Sequence, residues 1–378
     1  MRLLHTSDWH LGMTDSNISL YDDQKYFIDE ICRLITEEKI DAVMIAGDVY
    51  DRSIASSEAV KLYDYAMTRI CAELKTPVLE VAGNHDSAER LSTCGELLKA
   101  SGLHVTGALT DKPSVVEIGN AQIFMIPWIS EPKVKSIYPD KADVIKDITD
   151  AYRVVTDACK EEFKEGMRHI VIAHAFIANC ETSTSDRAAV VGFATQVDPS
   201  VFDGFDYVAL GHLHRPHDVN SFIRYSGTPM PYSFGAEEKQ TKSVTIIDTE
   251  SMEHSIITLP LLHQRRTIEG TWDEVIAPDL PDEVKDGYVL VNVTDEYIGL
   301  SRLNELRNVY KNLLGAGGKS FEGEGSEITL SIEQLDEIEN DPIELFKHFC
   351  RDNMGLEPED HLVDLFTAAV KKAEEGEA

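Results

Sequence analysis

No run of apolar residues in this chain approaches the roughly 18–20 that a membrane-spanning helix needs. The opening MRLLHTSDWH carries a single Arg with no apolar stretch behind it, so no secretory signal peptide is expected. Cysteine is sparse: the six residues (32, 71, 94, 159, 180 and 350) form no C-x-x-C pair. That argues against a disulfide framework or a thiolate zinc site and points to reduced thiols of a cytoplasmic protein. Positive charge is scarce too, with 35 Lys and Arg against 67 Asp and Glu and a net charge of −32. A nucleic-acid binder normally shows a basic footprint. A polyanionic substrate therefore requires metal ions or a partner to supply positive charge.

What the chain does have is 378 residues, 43% of them hydrophobic, enough for two or three domains and a large core. Short apolar runs at 41–51, 77–86, 169–175 and 207–214 read as buried strands and alternate with amphipathic helices near 21–38, 56–74, 87–100 and 141–164. That alternation predicts a layered α/β domain with a largely parallel sheet. SVVEIGNAQIFMIP (114–127) reads as a hairpin turning at Gly119-Asn120, and a β-rich patch over 222–262 closes the domain. Beyond 265 the texture changes. GYVLVNVTD (287–295), a helix over 300–315 and SEITLSI (326–332) make a small α/β unit, and two helical segments (343–354 and 359–374) follow Asp341-Pro342. The expected division is 1–264, a capping domain 265–340, and a helical tail 341–378. GAGGKS (315–320) is not a phosphate loop, because the required first glycine is Leu313, and it reads as a flexible connection.

The chemistry gathers at strand ends. RLLHTSDWHLG (2–12) is a short strand that stops in Asp8-Trp9-His10, and side chains two apart on an extended backbone point the same way. Alone, such a carboxylate–imidazole pair is commonplace. Four more apolar runs end alike: Asp48 in AGDVYD, Asn84 and His85 in AGNHD, His174 in IAHA, and His212 and His214 in GHLH. Open α/β sheets build their sites at the carboxyl ends of strands. The competing interpretation, in which Asp48 and Asn84 cap helices and the histidines satisfy core hydrogen bonds, has to be repeated five times. Gly47, Gly83 and Gly211 precede these residues where the backbone must turn or approach another group closely. Asp51 and Asp86 are candidates to orient ligands or a catalytic histidine. Seven donors (Asp8, His10, Asp48, Asn84, His174, His212 and His214) exceed one tetrahedral ion and suit two ions sharing a carboxylate. Imidazole, carboxylate and amide without thiolate favour Mn²⁺, ahead of Mg²⁺, Fe²⁺ or Zn²⁺. Two ions about 4 Å apart are a device for in-line displacement at phosphorus.

The ordered set D-x-H, GD-x-x-D, GNHD, H and GH-x-H resembles the calcineurin-like metallophosphoesterase superfamily. HTSDWHLG, AGDVYDRS, VAGNHDS, DYVALGHLHRP and YSGTPMPYSFG (225–235) narrow the resemblance to the SbcD family of nuclease subunits, over nearly the whole chain and most strongly over 1–240. SDRAAVVGFATQV (185–197) departs from the more Gly-rich pattern of that family. The resemblance implies a two-layer β-sandwich flanked by helices. It implies that Asp8, His10 and His214 hold one metal, that Asn84, His174 and His212 hold the other, and that Asp48 bridges them. His85, paired with Asp86, would assist the departing oxygen. The implied activity is a Mn²⁺-dependent nuclease acting 3′→5′ on duplex ends and endonucleolytically on single strands or hairpins, in DNA repair, recombination and replication. The implied partners are DNA, a second copy of the chain through the 56–74 region and the helix after GNHD, and an SbcC-type ATPase through the tail helix bearing Leu362, Leu365, Phe366, Ala369 and Val370. The competing activities are a phosphoesterase for small diesters or phosphoproteins, and a scaffold with a vestigial site. Of the other histidines, His5, His104, His169 and His254 read as structural, and His217 as a candidate substrate contact.

Overall fold

The computed structural model describes residues 1–16, 18–178, 180, 196–296, 298, 300–318, 328–331, 343, 346–347 and 361–367. The chain divides into two units: Met1–Met13 with Ser19–Leu262, and Thr14–Ile18 with His263–Ala378. In the first unit the strands are, in chain order, β1 (Arg2–Thr6), β2 (Ala42–Ile45), β3 (Val78–Val81), β4 (Leu103–Thr106), β5 (Val115–Ile118), β6 (Ala121–Ile126), β7 (Arg168–His174), β8 (Tyr207–Gly211), β9 (His217–Asp218), β10 (Ile223–Tyr225), β11 (Ser243–Asp248) and β12 (His254–Thr258). They form two six-stranded sheets, ordered β12-β11-β1-β2-β3-β4 and β9-β10-β8-β7-β6-β5. β1 to β4 are parallel, as are β6, β7, β8 and β10; β5, β9, β11 and β12 join antiparallel at the edges.

The two-layer arrangement implied by the resemblance is present as these two sheets. The 114–127 hairpin starts the second, and local patterning does not reveal which runs pair. Every residue of β6 is buried, because the strand is covered on both sides. Ala121, Ile123 and Met125 meet Leu3, Met44 and Leu79 of the first sheet between the layers, whereas Phe124 and Ile126 pack with Ala151, Tyr152 and Val155 of the helix Ile148–Glu161 on the outer face.

The first two helices are α1 (Tyr21–Glu37) and α2 (Ser57–Met67); α2 is capped by Ser56 and runs on as a wider turn over Thr68–Glu73. The long helix expected over 141–164 shortens to α3 (Ile148–Glu161), which starts at Asp147, whose side chain accepts from the Asp150 N–H at 2.9 Å. The helix expected over 87–100 breaks into single turns, Ala88–Leu91 and Gly95–Leu98, split where Cys94 adopts φ 59°.

In the second unit β13 (Arg265–Gly270), β14 (Tyr288–Val293), β15 (Asn312–Gly318) and β16 (Ile328–Ser331) form one sheet in that order, with β16 antiparallel to β15. Helix α4 (Leu300–Val309) and the turn Trp272–Ile276 supply Leu303, Leu306, Trp272 and Val275 to its core. Two expectations change here. The helix read over 300–315 ends at Val309, and the glycines of GAGGKS begin in a strand, since β15 buries Leu313 and Ala316 against β14. Asp15, in the Thr14–Ile18 segment, lies 2.5 Å from the Arg265 guanidinium, which is itself buried over the Tyr288 ring. The loop 185–197 lies outside the described residues except at 196–197, as do most of the tail segments. Phe346 and Phe366 of the tail stack at 4.4 Å, and Leu362 and Leu365 are exposed.

One buried carboxyl in the first sheet has a measurable effect. Glu80 lies fully buried in β3, with Tyr63 of α2 donating to Oε1 and no hydrogen bond to Oε2 among the described residues. Burial pushes its carboxyl up to about 8. The folded pKa is raised above the unfolded one, so the fold holds the acid form. The stability that follows is full below the ordinary Glu range and is lost as pH rises toward about 8. Glu80→Gln should match the wild type near pH 5 and exceed it at pH 8 by on the order of 3 kcal/mol in denaturant unfolding. Equal midpoints at both pH values would contradict this.

Candidate metal centre

The ladder between β1 and β2 continues after both strands end. The N–H groups of Asp8, His10 and Leu11 donate to the carbonyls of Gly47, Asp48 and Val49 at 3.0, 3.0 and 2.9 Å, and the Asp51 N–H donates back to Leu11 at 3.2 Å. Asp8 and His10 are not extended, as the sequence reading supposed. Their φ angles are 55° and 44°, Asp48 is at 49° and His212 at 109°. Such conformations cost a non-glycine residue about 1–3 kcal/mol each and need surroundings that over-determine them. Gln24 of α1 donates to the His10 carbonyl at 2.7 Å and accepts from the Gly12 N–H at 2.9 Å. The Tyr232 hydroxyl donates to the Trp9 carbonyl, and the buried Trp9 indole donates to Thr6 at 3.0 Å. A Cβ on Gly83 would lie 2.1 Å from Asp48 Oδ1, and one on Gly47 would lie 2.3 Å from His174 Nδ1. The loops close around the site only because those side chains are missing.

Two fully buried donor sets result, Asp8, His10 and His214, and Asp48, His174 and His212, beside a third, partly buried group of His10, Asp51 and His85; in each the atoms lie within 4.8 Å of one another. Asn84 joins the second set, its Oδ1 lying 2.9 Å from His212 Nδ1 and 3.0 Å from His174 Nε2. Asp48 Oδ2 lies 3.4 Å from His174 Nε2 and 3.9 Å from His10 Nε2, between the sets. These donors fit divalent ions. Two imidazole nitrogens held about 2.1 Å from one ion at a right angle stand about 3.0 Å apart. The observed pairs are 3.1 Å (His10 Nε2–His214 Nε2) and 3.2 Å (His212 Nδ1–His174 Nε2). Supporting groups fix the rings. His174 Nδ1 donates to the Ala46 carbonyl at 2.8 Å, which turns Nε2 toward the site. Asp8 accepts from the Ser7 hydroxyl at 2.5 Å and the His212 N–H at 3.0 Å. Trp128 stacks on the His212 ring at 5.1 Å.

The electrostatics follow from burial. It raises the Asp8 carboxyl to about 6, against the pull of His174 and His214. It lowers the His10 imidazole well below the ordinary range and takes His212 to about 3, helped by the neighbouring His174. For Asp48, burial is outweighed by His174, His10 and His85, which hold the carboxyl far below the usual range. For His174, the Asp48 and Asp8 carboxylates and the Ala46 carbonyl overcome burial and raise the imidazole to about 9.

The expected pairing of His85 with Asp86 is not what the structure contains. Asp86 accepts from the N–H groups of Gly83, Val49 and Tyr50 at 2.9, 3.1 and 2.9 Å, stapling the GNHD loop to the GDVYD loop. A carboxylate already holding three backbone donors is directed away from the imidazole. His85 Nδ1 instead donates to the Asp51 carbonyl at 2.8 Å, the His85 N–H donates to Asp48 Oδ1 at 2.9 Å, and the ring stands edge-on to His10 at 4.9 Å. The Asp51 side chain approaches His10 Nδ1 at 4.0 Å. His217 stacks on Tyr225 at 5.0 Å with Nδ1 on the Arg215 carbonyl, and His5 is a core residue bonded to Tyr207 and Leu210. Gln24, Tyr232 and Trp128 were not singled out from the sequence. Each acts from an element remote in the chain; Tyr232 lies within the YSGTPMPYSFG motif, but no short motif marks Gln24 or Trp128.

Residues 1–216 match the calcineurin-like phosphoesterase family, and residues 263–353 match the SbcD C-terminal family, described as the type 5 capsule protein repressor C-terminal domain. The chain is 30% identical to the SbcD component of the nuclease SbcCD of Staphylococcus epidermidis over 351 residues, covering 90% of this chain and 92% of that protein. It is likewise 30% identical to the SbcD component of Staphylococcus saprophyticus over 342 residues, 89% and 90% of the two chains. With its phosphoesterase domain, its C-terminal domain and relatives matched along almost their full length, the chain belongs to the SbcD nuclease-subunit branch of the calcineurin-like phosphoesterases.

Proposed function

We propose that this metal-dependent phosphodiester hydrolase is a Mn²⁺-dependent DNA nuclease subunit, working with an SbcC-type ATPase on DNA ends and hairpins. The observation that carries the reading is the placement of Asp48 Oδ2 between the two donor sets. Asp8, His10 and His214 would hold one ion, Asn84, His174 and His212 the other, and Asp48 both. Bound there, two divalent cations supply Lewis-acid charge for a phosphate and lower the pKa of water. That charge also answers the objection raised by a net −32 chain.

The chain's own groups do the rest. Asp48 fixes the His85 backbone through its N–H, and the Asp51 carbonyl holds His85 Nδ1, so Nε2 is the atom from which a proton can pass to the departing 3′ oxygen. Cleavage is 3′→5′ on duplex ends and endonucleolytic on single strands and hairpins, and the match of residues 263–353 to the SbcD C-terminal family supports a nucleic-acid substrate over a small diester. The exposed Leu362 and Leu365 of the tail support ATPase docking there, and the exposed Val60 of α2 supports a homodimer and hence a heterotetramer. The reading is tested by incubating linear duplex and hairpin DNA with Mn²⁺, with and without the cognate ATPase; no cleavage under any condition refutes it.

His85→Gln should slow DNA cleavage by about 10²–10⁴-fold, with both ions retained and an aryl diester bearing a good leaving group less affected. Metal analysis beside rates on the two substrates checks this, and loss of an ion would make His85 a ligand. Metal binding should also be pH-dependent. His174 is raised to about 9, so at neutral pH it carries a proton that an ion must displace. Mn²⁺ affinity of the metal-free protein should therefore climb about tenfold per pH unit up to about 9, with about one proton released. Calorimetry in buffers of different ionisation enthalpy measures both; a flat profile would show that His174 is already neutral.

A further inference from the structure

The segment between β10 and β11 carries a buried ion pair that the proposed mechanism does not use. Glu237 and Lys242 are both completely buried, with Nζ 2.9 Å from Oε2. A buried pair is often no more stabilising than apolar residues of the same size, so its retention asks what geometry it sets. Both partners turn toward one residue. Lys242 Nζ donates to the His214 carbonyl at 3.1 Å and to Thr228 Oγ1 at 2.8 Å. The Thr228 N–H reaches the same carbonyl at 3.2 Å. Glu237 Oε2 accepts from the Tyr232 N–H at 3.1 Å and Oε1 from the Ser233 hydroxyl at 2.8 Å. Glu237 Oε1 also stands 3.6 Å from His214 Nδ1, while the opposite nitrogen of that ring, Nε2, is 3.1 Å from His10 Nε2.

We propose that Glu237, anchored by Lys242, is a positioning residue that keeps the neutral His214 imidazole protonated on Nδ1 and so presents the Nε2 lone pair to the ion shared with Asp8 and His10. A neutral imidazole has one proton to place, and a carboxylate beside Nδ1 favours it there. At 3.6 Å the carboxylate acts through its field, while Lys242 and Thr228 fix the backbone of the same residue. The histidine is held at both ends, its carbonyl by a cation and its ring by an anion. Carboxylates behind ligating histidines typically account for 10–100-fold in metal affinity.

The inference rests on the reading of His214 as a ligand, and the test separates the two. Nitrogen NMR of the metal-free, histidine-labelled protein reports the His214 tautomer, and chelator competition reports Mn²⁺ affinity, in the wild type, Glu237→Gln, Glu237→Gln/Lys242→Met and His214→Ala. The double variant removes both charges and so avoids the lone buried ammonium that can unfold Glu237→Gln. The expected result is the Nδ1–H tautomer in the wild type, a mixture in both Glu237 variants, and one of two ions weakened about 10–100-fold while the other is unchanged. A wild-type His214 carrying its proton on Nε2, or a folded double variant with unchanged tautomer and affinity, overturns the proposal. Wild-type affinity for both ions in His214→Ala instead overturns the ligand reading on which it stands.

Discussion

Everything at the functional edge depends on two loops that go on hydrogen-bonding after their strands have stopped. Because Asp8, His10 and Leu11 remain laddered to Gly47, Asp48 and Val49, the D-W-H and G-D segments cannot move independently. The left-handed turns at Asp8, His10 and Asp48 then swing side chains off the sheet and into a common space. A strained turn of this kind relaxes unless several bonds oppose it. Gln24, Tyr232 and the three-donor carboxylate of Asp86 supply them from α1, from the segment after β10 and from the GNHD loop. The ligand geometry is therefore a property of the layered fold and not of any single motif.

The same closure creates an electrostatic demand. Asp8, Asp48 and four histidines are removed from water together. Without a cation the groups can only share protons: Asp48 stays ionised because His174 takes one, and His10 and His212 are driven neutral. Neutral imidazoles and ionised carboxylates are the forms in which these residues bind metal. His174 is the exception that must give up its proton.

Much of this was legible in the sequence because each donor lies within a few residues of the strand that delivers it. Asp48, Asn84, His174, His212 and His214 could be read as strand endings before any partner was known. The geometry was less legible. The extended-backbone argument brought Asp8 and His10 to one side for the wrong reason, since their φ values are those of a left-handed turn. Asp86 sits next to His85 in the chain, but three backbone N–H groups from other residues outcompete the imidazole for it. β15 was hidden because its pairing partners lie some twenty residues away or across the sheet, and its glycines resemble a linker. The two-sheet layering was legible through the resemblance and not through periodicity, which reports which face is buried but not which strand lies alongside.

The short segment Thr14–Ile18 has a consequence for how this protein can be taken apart. It leaves the first unit three residues after His10, joins the second unit through Asp15 and Arg265, and returns at Ser19. The boundary between the units is thus crossed more than once by the chain. A fragment ending at Leu262 would keep every strand of the two large sheets yet leave Asp15 without Arg265, five residues after His10 in the chain. The reciprocal fragment from His263 would strand the buried Arg265 guanidinium without Asp15. In linear sequence the two halves look separable, yet the segment Thr14–Ile18 belongs to the unit that otherwise begins at His263.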